Sequence, residues 1–493
     1  MRAVRVGVIG CGAAGTAALD AVVRTAAALR RRVEVTVFEP GGAFGPGRAY
    51  DLANGTAPLN LVPAKMSLRP DQPNHFLHWL SSNWPDIAQG QDTYLPRATY
   101  GRYLADVVGS AMATAVSHGS RVELIDERVV ELAVREGEFH ACSAAHRRYR
   151  FDVVFLCVGS AEPDDLYGLA GTPGFIADPY PLDALRDEID ERSSVAVLGS
   201  GLSAVDTAMR LAERGHHGPI TLVSRSGYLP AVRSSTALTT ALRATRHGDL
   251  ARLAARRGHV SVRDLWRVIS REFRAQGIPV RTIAREFRRD EPPASRLRRQ
   301  RHEAIVGNRA HALLLDVAGV LVKDAWRRFD DASRAEFVRD WHSLVAGLCA
   351  PMPIPSATAL CGLVSSGRLR LRGGLQKVTS TEAGFTVDTE TEQFTADTVI
   401  NTIRPYTAAI PSRASEIVGS LLNSGLAVPH PHGGVGITPE TLRLVDRTGK
   451  PVPGLYALGE LTTGELYLET TIIGAIARRA QQAVAHVFAE VKP

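Results

Sequence analysis

Three glycines near the N-terminus have the spacing of a turn that binds phosphate. Gly10, Gly12 and Gly15 follow the apolar run Val4–Ile9, and small apolar residues continue at helical spacing. In such a unit the first glycine makes the tight turn, the second admits a pyrophosphate to backbone N–H groups, and the third lets helix pack on strand. A second apolar run ends on Glu39, a carboxylate suited to a ribose 2′-hydroxyl. The sequence therefore predicts a dinucleotide site.

A second glycine-rich turn repeats this pattern in the middle of the chain. Gly199 and Gly201 follow a short apolar run, and the next apolar run, Ile220–Val223, leads into Arg225 rather than an acid. A cation flanked by serines suits the 2′-phosphate of a nucleotide, which favours NADPH over NADH. The predicted contacts of this second site are Gly199, Gly201, Leu202, Ser203 and Arg225.

A late segment indicates which nucleotide occupies the first site. An apolar run from residue 452 ends on Gly459 and Glu460, and a helix is predicted to begin near Thr471 and Ile472. In FAD-binding Rossmann proteins such a strand brings Gly-Asp to the ribityl chain, and the next helix points at the flavin pyrimidine ring. A plain dehydrogenase needs no returning segment, so we predict FAD in the first site. The acid here is glutamate, one methylene longer than the usual aspartate.

These elements predict an α/β protein with two Rossmann-like dinucleotide-binding domains and a helical insertion. We expect an FAD-binding domain formed by residues 1–190 and 401–493. An NADPH-binding domain is expected at 191–400, with the insertion at about 230–350. Buried strands near 152–159, ending on Gly159, and near 397–403 are expected to return the chain between the two lobes.

Composition narrows the class of protein further. The chain of 493 residues is 45% hydrophobic and 22% charged, which is typical of a globular protein. The first strand begins so early that we expect no signal peptide, and no apolar stretch is long enough to span a membrane. The five cysteines are scattered without C-x-x-C, so we expect reduced thiols, a cytoplasmic location and no metal site.

Arginine is concentrated in the predicted insertion. Residues 240–310 hold 18 Arg against 7 Asp and Glu, although the whole chain has a net charge of only +7. Such a stretch can meet nucleic acid or an anionic partner. It lacks a binding-module signature and nearly lacks aromatic residues for base stacking, and only five basic residues of 58 are lysine. A solvated helical face is therefore the favoured interpretation.

The whole pattern resembles the bacterial family of FAD/NAD(P)-binding oxidoreductases, over almost the full length. The resemblance rests on residues 45–50, 59–67, 71–80, 95–104, 199–206 and 464–471. The layout of residues 66–104 is also similar to flavin-dependent N-hydroxylating monooxygenases. That likeness implies action on amines of ornithine, lysine or, in natural-product pathways, aspartate.

A flavin beside a nicotinamide implies hydride transfer from NADPH to flavin N5. Reduced flavin can then form a C4a-hydroperoxide with O2, which in a dry pocket passes oxygen to a nucleophile. Asn60 and Lys65 lie on the loop expected to shape this pocket and are the catalytic candidates, although a turn former and a surface lysine are equally open interpretations. Cofactor contacts expected at the two sites are Gly10, Gly12, Ala13, Ala14, Gly15, Glu39, Met66, Arg97, Gly159, Gly199, Gly201, Leu202, Ser203, Arg225, Gly459, Glu460, Thr471 and Ile472.

The sequence thus predicts an NADPH-dependent FAD monooxygenase that acts on a small amine or amino acid with O2. One alternative is an NADPH:FAD oxidoreductase or oxidase without oxygen insertion. Another is a flavin-bearing binding or sensor protein that docks a partner through the basic insertion. The sequence does not fix the oligomeric state, and a homo-oligomer is compatible with it.

Overall fold

The computed structural model describes residues 2–88, 94–234, 248–288, 290–404 and 410–490. The chain divides into two compact units. The first comprises Met1–Glu162 and Arg404–Pro493, and the second comprises Pro163–Ile403. Both units are mixed α/β, which confirms the predicted fold class.

The described strands, in chain order, are β1 Val4–Ile9, β2 Val33–Phe38, β3 Arg121–Ile125, β4 Val129–Arg135, β5 Glu138–Ser143, β6 Arg148–Phe151, β7 Val153–Leu156, β8 Phe175–Ile176, β9 Val195–Leu198, β10 Ile220–Val223, β11 Leu369–Arg372, β12 Leu375–Thr381, β13 Gly384–Thr389, β14 Gln393–Ala396, β15 Thr398–Asn401, β16 Arg443–Val445 and β17 Pro451–Ala457.

The described α-helices are α1 Ala13–Ala28, α2 His75–Asn83, α3 Pro85–Ala88, α4 Arg97–Ser117, α5 Leu185–Glu188, α6 Leu202–Glu213, α7 Asp249–Arg257, α8 Val262–Ala275, α9 Arg281–Glu286, α10 Pro293–Ile305, α11 Arg309–Trp326, α12 Asp331–Asp340, α13 His342–Cys349, α14 Ile354–Ser365, α15 Ser415–Ser424 and α16 Ile473–Glu490.

The first unit contains a six-stranded sheet in the order β16-β17-β7-β1-β2-β3. Its strands are parallel except β16, which pairs antiparallel with β17. Ile9 at the end of β1 lies opposite both Phe38 and Leu156, and Leu156 lies opposite Ala457. The register therefore brings the carboxyl ends of β1, β2, β7 and β17 to one edge of the sheet, where ligands bind in open α/β folds.

Helix α1 connects β1 to β2 and packs against α4 and α16. Its inward face consists of small and branched apolar residues such as Ala18, Val22 and Ala26, all buried. Small side chains allow close approach of helix and sheet, and the branched ones fill the space between them. A three-stranded antiparallel sheet, β4-β5-β6, completes this unit together with α15.

The second unit repeats the plan. Its five-stranded sheet has the order β11-β10-β9-β15-β8 and is parallel throughout, and β12-β13-β14 form an antiparallel sheet. Leu198 at the end of β9 lies opposite Val223 and Asn401. The two turns that follow β9 and β10 are therefore neighbours, as the sequence pattern requires.

The unit boundaries differ from those expected from sequence. The first unit ends at Glu162 rather than at residue 190, because β8 pairs with β15 and so joins the second sheet (Phe175 opposite Val399). The second boundary, after Ile403, lies close to the expected residue 400. Helices α7–α14 extend to Ser365, beyond the expected end of the insertion at about 350.

Candidate dinucleotide-binding sites

Two of the three glycines after β1, Gly10 and Gly15, have no room for a side chain. Gly10 has a φ of 92°, and a Cβ there would lie 2.2 Å from the carbonyl oxygen of Cys157. A Cβ on Gly15 would lie 1.9 Å from the carbonyl oxygen of Gly10. The fold itself therefore requires glycine at both positions.

Gly12 is different, because neither packing nor backbone conformation requires glycine there. Its φ is −78°, and the nearest atom to an added Cβ would be the Cα of Gly47 at an ordinary 3.5 Å. The space beside Gly12 is thus open to a ligand, as the approach of a pyrophosphate requires. Gly47, with a φ of 55°, faces Gly12 and was not among the residues expected from sequence.

Helix α1 begins directly at this open position. Gly12 is its N-cap residue, and no side chain caps the first turn, so the N–H groups of Ala13 and Ala14 remain available to an anion. Gly459 lies against the same turn, since a Cβ on it would be 3.6 Å from the Cβ of Ala14. The late strand β17 therefore returns to the first site, as its sequence predicts.

Glu39 is buried at the end of β2, and its Oε2 accepts a hydrogen bond from the N–H of Cys11 at 2.6 Å. Burial raises the pKa of Glu39, whereas that hydrogen bond and the positive field of Arg413 lower it. Beside it is an open pocket lined by Gly10, Glu39, Val158 and Arg413, among others.

Arg413 was missed by the sequence analysis. Its guanidinium donates to the carbonyl of Val158 at 3.4 Å, and its Nη2 would lie 2.6 Å from a Cβ on Gly159. Gly159, which also has a φ of 84°, is thus glycine partly to admit this arginine. No local pattern marks Arg413, because its partners lie about 250 residues away in the chain.

Glu460 follows Gly459 and is already paired in this structure. Arg404 Nη1 lies 3.0 Å from each of its carboxylate oxygens. Burial raises the pKa of Glu460, and the neighbouring Arg404 opposes that shift. Any contact of Glu460 with a ribityl chain would share the carboxylate with Arg404. Thr471 and Ile472 immediately precede α16, which begins at Ile473.

The four predicted site residues between Asn60 and Arg97 lie in different environments. Met66 is buried, and its carbonyl accepts from the Tyr100 hydroxyl at 2.9 Å, so its side chain belongs to the core. Arg97 begins α4 and donates through Nε to the carbonyl of Pro58 at 3.3 Å. Asn60 is half-buried, whereas Lys65 is exposed at the end of a short 3₁₀ turn.

A buried polar network holds this loop in place. Arg69 donates from Nε and Nη2 to the carboxylate of Asp20 on α1, with the shortest contact at 2.7 Å. Its Nη1 lies 2.9 Å from His75 Nε2, and His75 Nδ1 lies 2.8 Å from the Tyr103 hydroxyl. Burial and the Arg69 charge lower the pKa of His75 to about 4, so the ring is neutral at pH 7.

The second site reproduces the first at its glycines. Gly199 has a φ of 115°, and a Cβ there would be 2.4 Å from Oγ1 of Thr402. Gly201 has an ordinary φ of −75°, and no atom lies within 4 Å of its Cβ position. It is the N-cap residue of α6, which starts at Leu202 without a side-chain cap. Ser203, in the first turn, accepts a hydrogen bond from Tyr180 at 3.4 Å.

Arg225 lies two residues beyond β10 and is exposed. Within the described part of the chain its guanidinium forms no hydrogen bond or ion pair, so its charge is available to an anion. Desolvation and the positive field of Arg225 together lower the pKa of His342 on α13 to about 4. The structure thus brings Gly199, Gly201, Leu202, Ser203 and Arg225 to one edge of the second sheet.

Comparison with known proteins identifies the first unit. Residues 7–161 match the model of the FAD-NAD(P)-binding family. The match covers less than half of the chain. It contains both the open glycine turn and Glu39, and the description of the matched family names FAD and NAD(P). No curated protein is similar to the chain in sequence.

Solved structures share the fold over the full length. The L-lysine 6-monooxygenase of Pseudomonas syringae has a TM-score of 0.61 at 15% identity, with 100% of both chains covered. The ornithine hydroxylase of Pseudomonas aeruginosa has a TM-score of 0.60 at 15% identity, covering 99% of this chain and 100% of the other. The ornithine N-hydroxylase of Kutzneria sp. 744, with reduced FAD, NADP⁺ and L-ornithine, has a TM-score of 0.60 at 13% identity, with 100% of both covered.

The described residues also bear on metal binding and on membrane insertion. Among the described residues, no group of three or more His, Cys, Asp or Glu side chains is arranged to hold a metal ion. No single described helix is both long and apolar enough to cross a membrane, while the bent pair α10 and α11 meets that test by length and composition only.

Proposed function

We propose that the protein is an NADPH-dependent FAD monooxygenase that hydroxylates the nitrogen of a small amine or amino acid. Its full-length similarity in fold to ornithine and lysine hydroxylases is the observation that supports this most directly. Bound to such a protein, NADPH supplies electrons and the flavin supplies the chemistry that activates O2.

The residues at the first site fit the proposed FAD. The N–H groups at the start of α1 would bind the pyrophosphate beside Gly12, where the chain leaves open space. Glu39 would accept hydrogen bonds from the ribose, with Cys11 N–H and Arg413 maintaining its orientation and charge. The pocket beside them would hold the adenosine.

The second site fits NADPH because it combines open space at a glycine turn with an available positive charge. Glycine at Gly201 is not needed for packing or for φ, so its lack of a side chain is best explained by the close approach of a ligand. Arg225 would neutralise the 2′-phosphate that distinguishes NADPH from NADH.

Lys65 is proposed to bind the substrate or the flavin edge. It is exposed, and no ion pair or hydrogen bond engages its ammonium within the described residues. The loop that carries it is fixed by the Asp20–Arg69 pair, which would hold the ammonium in a reproducible place. Asn60, on the same loop, is proposed as a second polar contact.

The test is a screen of amines and amino acids for substrate-dependent NADPH consumption by the purified holoenzyme. The proposal expects one substrate class to yield a hydroxylated product, identified by mass, in near-equal amount to the NADPH consumed. Consumption that yields only H2O2 with every candidate substrate would instead support the oxidase alternative. Purified protein that contains no FAD and binds none when FAD is added would contradict both.

A further inference from the structure

Helices of the insertion contact the loop that follows β10 and form hydrogen bonds with it. This loop, residues 224–233 and here called the β10 loop, contains Arg225. A backbone group just after β11 also holds the β10 loop in place, since Gly374 N–H donates to the carbonyl of Arg225 at 3.0 Å. Because the Arg225 side chain has no ion pair of its own within the described residues, the backbone of the loop sets where its charge lies.

The β10 loop is joined to the second glycine-rich turn by one hydroxyl group. Ser200 Oγ donates to the carbonyl of Tyr228 at 2.7 Å and lies 2.8 Å from Ser224 Oγ. Ser224 Oγ in turn accepts from Gly227 N–H at 3.0 Å. Through Ser200, the position of Tyr228 is therefore linked to Ser224, the residue that precedes Arg225.

Helix α10 of the insertion contacts the loop at this point. The Arg296 guanidinium carbon lies 4.4 Å from the ring centre of Tyr228, a distance at which cation–π attraction operates. A Cβ on Gly227 would lie 3.0 Å from Pro293, the first residue of α10, so the two segments are in close contact. Arg296 is itself fixed, because it is buried and donates to the carbonyls of Glu286 and Arg288.

Two more helices hold the far end of the β10 loop. His311 on α11 lies with Nε2 2.6 Å from the carbonyl of Val232. Ala231 N–H donates to the carbonyl of Gly347 on α13 at 3.0 Å. Met352, just beyond α13, pairs with the same stretch as an isolated parallel bridge to Val232.

We propose that the insertion is a clamp that sets the position of Arg225, with Arg296 and Tyr228 as positioning residues for NADPH over NADH. This inference rests on the proposed NADPH site. It also gives the arginine-rich stretch a role within the protein, because Arg299 is buried among Glu286, Glu291 and Glu303. Arg296 and Arg299 are therefore engaged within the protein, whereas other arginines of the stretch, such as Arg267 and Arg288, are exposed.

The experiment measures dissociation constants of the oxidised holoenzyme for NADP⁺ and NAD⁺ in matched variants. Tyr228→Leu removes the ring that Arg296 contacts, and Tyr228→Phe retains it. We expect Tyr228→Leu to weaken NADP⁺ binding about fivefold with NAD⁺ nearly unchanged, a loss of about 1 kcal/mol for two residues in contact. Tyr228→Phe should restore the wild-type ratio, and Arg296→Lys, which retains the charge without the planar group, should reproduce the loss.

Combination with Arg225→Ala separates the possible results. If the clamp acts through Arg225, adding Tyr228→Leu to the Arg225→Ala variant causes no further change in the ratio of the dissociation constants for NADP⁺ and NAD⁺. Suppose that Arg225→Ala lowers the preference for NADP⁺ over NAD⁺, whereas Tyr228→Leu and Arg296→Lys leave it unchanged. This result would overturn the clamp but not the NADPH site. If Arg225→Ala itself leaves the ratio of the two dissociation constants unchanged, the NADPH assignment is wrong and the clamp is wrong with it. Equal weakening of both nucleotides by Tyr228→Leu would indicate a structural role only.

Discussion

Replacing Gly12 with alanine should abolish tight FAD binding without unfolding the protein. The added Cβ would meet only the Cα of Gly47, at 3.5 Å, and the φ of −78° suits alanine. Alanine is a poorer N-cap residue than glycine, so we expect a loss of at most about 1 kcal/mol in the free energy of unfolding of the apo protein. The new methyl group would, however, occupy the space through which a pyrophosphate reaches the first turn of α1.

The expected loss of affinity follows from the contacts that the methyl group blocks. Hydrogen bonds to a charged group contribute about 1.5–3 kcal/mol each. Loss of two N–H contacts to the pyrophosphate therefore costs about 3–6 kcal/mol, which is about a 100-fold to 10,000-fold increase in the FAD dissociation constant. The protein should be purified colourless, and Gly12→Val should have at least as large an effect.

The assay compares flavin absorbance with protein absorbance after purification, followed by titration of apo protein with FAD. Gly109→Ala is the matched control, since Gly109 is exposed within α4 and no atom lies within 4 Å of its Cβ position. It should retain FAD and gain up to about 1 kcal/mol in stability. Gly15→Ala, by contrast, should destabilise the fold because its Cβ meets a carbonyl at 1.9 Å. Folded Gly12→Ala protein with stoichiometric FAD and an unchanged dissociation constant would refute this reasoning.

Three other variants test separate parts of the account. Arg225→Ala should raise the Michaelis constant for NADPH about tenfold or more and leave that for NADH nearly unchanged, since one charge-assisted contact contributes about 1.5–3 kcal/mol; equal effects in steady-state kinetics would exclude the 2′-phosphate contact. His75 has a pKa of about 4 when folded against an ordinary 6.5, so the unfolded chain takes up the proton first and the free energy of unfolding should fall as the pH decreases through this interval. Urea unfolding should show a shallower pH dependence in His75→Gln, and an identical slope would contradict the assignment. Lys65→Met should lower the yield of product per NADPH while Lys65→Arg restores part of it, with no change in the urea midpoint because the side chain is exposed; unchanged product yield in Lys65→Met would remove Lys65 from the site.

Sequence patterns predicted the elements that carry local signals. The bounds predicted for β10, Ile220–Val223, agree with the structure, because an apolar run between turn residues is sufficient to define a buried parallel strand. The glycine turns were located for the same reason, since each occupies one short stretch of chain. FAD was predicted from the late segment that ends on Gly459 and Glu460, and a nicotinamide nucleotide from the second turn; the matched family model, described as FAD-NAD(P)-binding, agrees with both.

The residues that were missed depend on contacts between distant parts of the chain. Arg413 reaches Gly159 and Arg404 pairs with Glu460, yet neither belongs to a motif. Gly47 lies in the stretch 45–50 that supports the family resemblance, but that stretch does not predict its contact with Gly12. The unit boundary at Glu162 was likewise hidden, because the two-residue strand β8 is too short to produce a periodic signal. Sheet pairing and side-chain contacts decide such features, and composition or spacing does not encode them.

The most direct test of the central proposal is the fate of molecular oxygen. The holoenzyme is supplied with NADPH, a substrate amine or amino acid from the screen, and O2 labelled with oxygen-18, and the product is analysed by mass spectrometry. We expect a product with one labelled oxygen atom on the substrate nitrogen, in an amount nearly equal to the NADPH oxidised. Complete recovery of the label in H2O2, with no oxygenated product from any amine or amino acid tested, would contradict it.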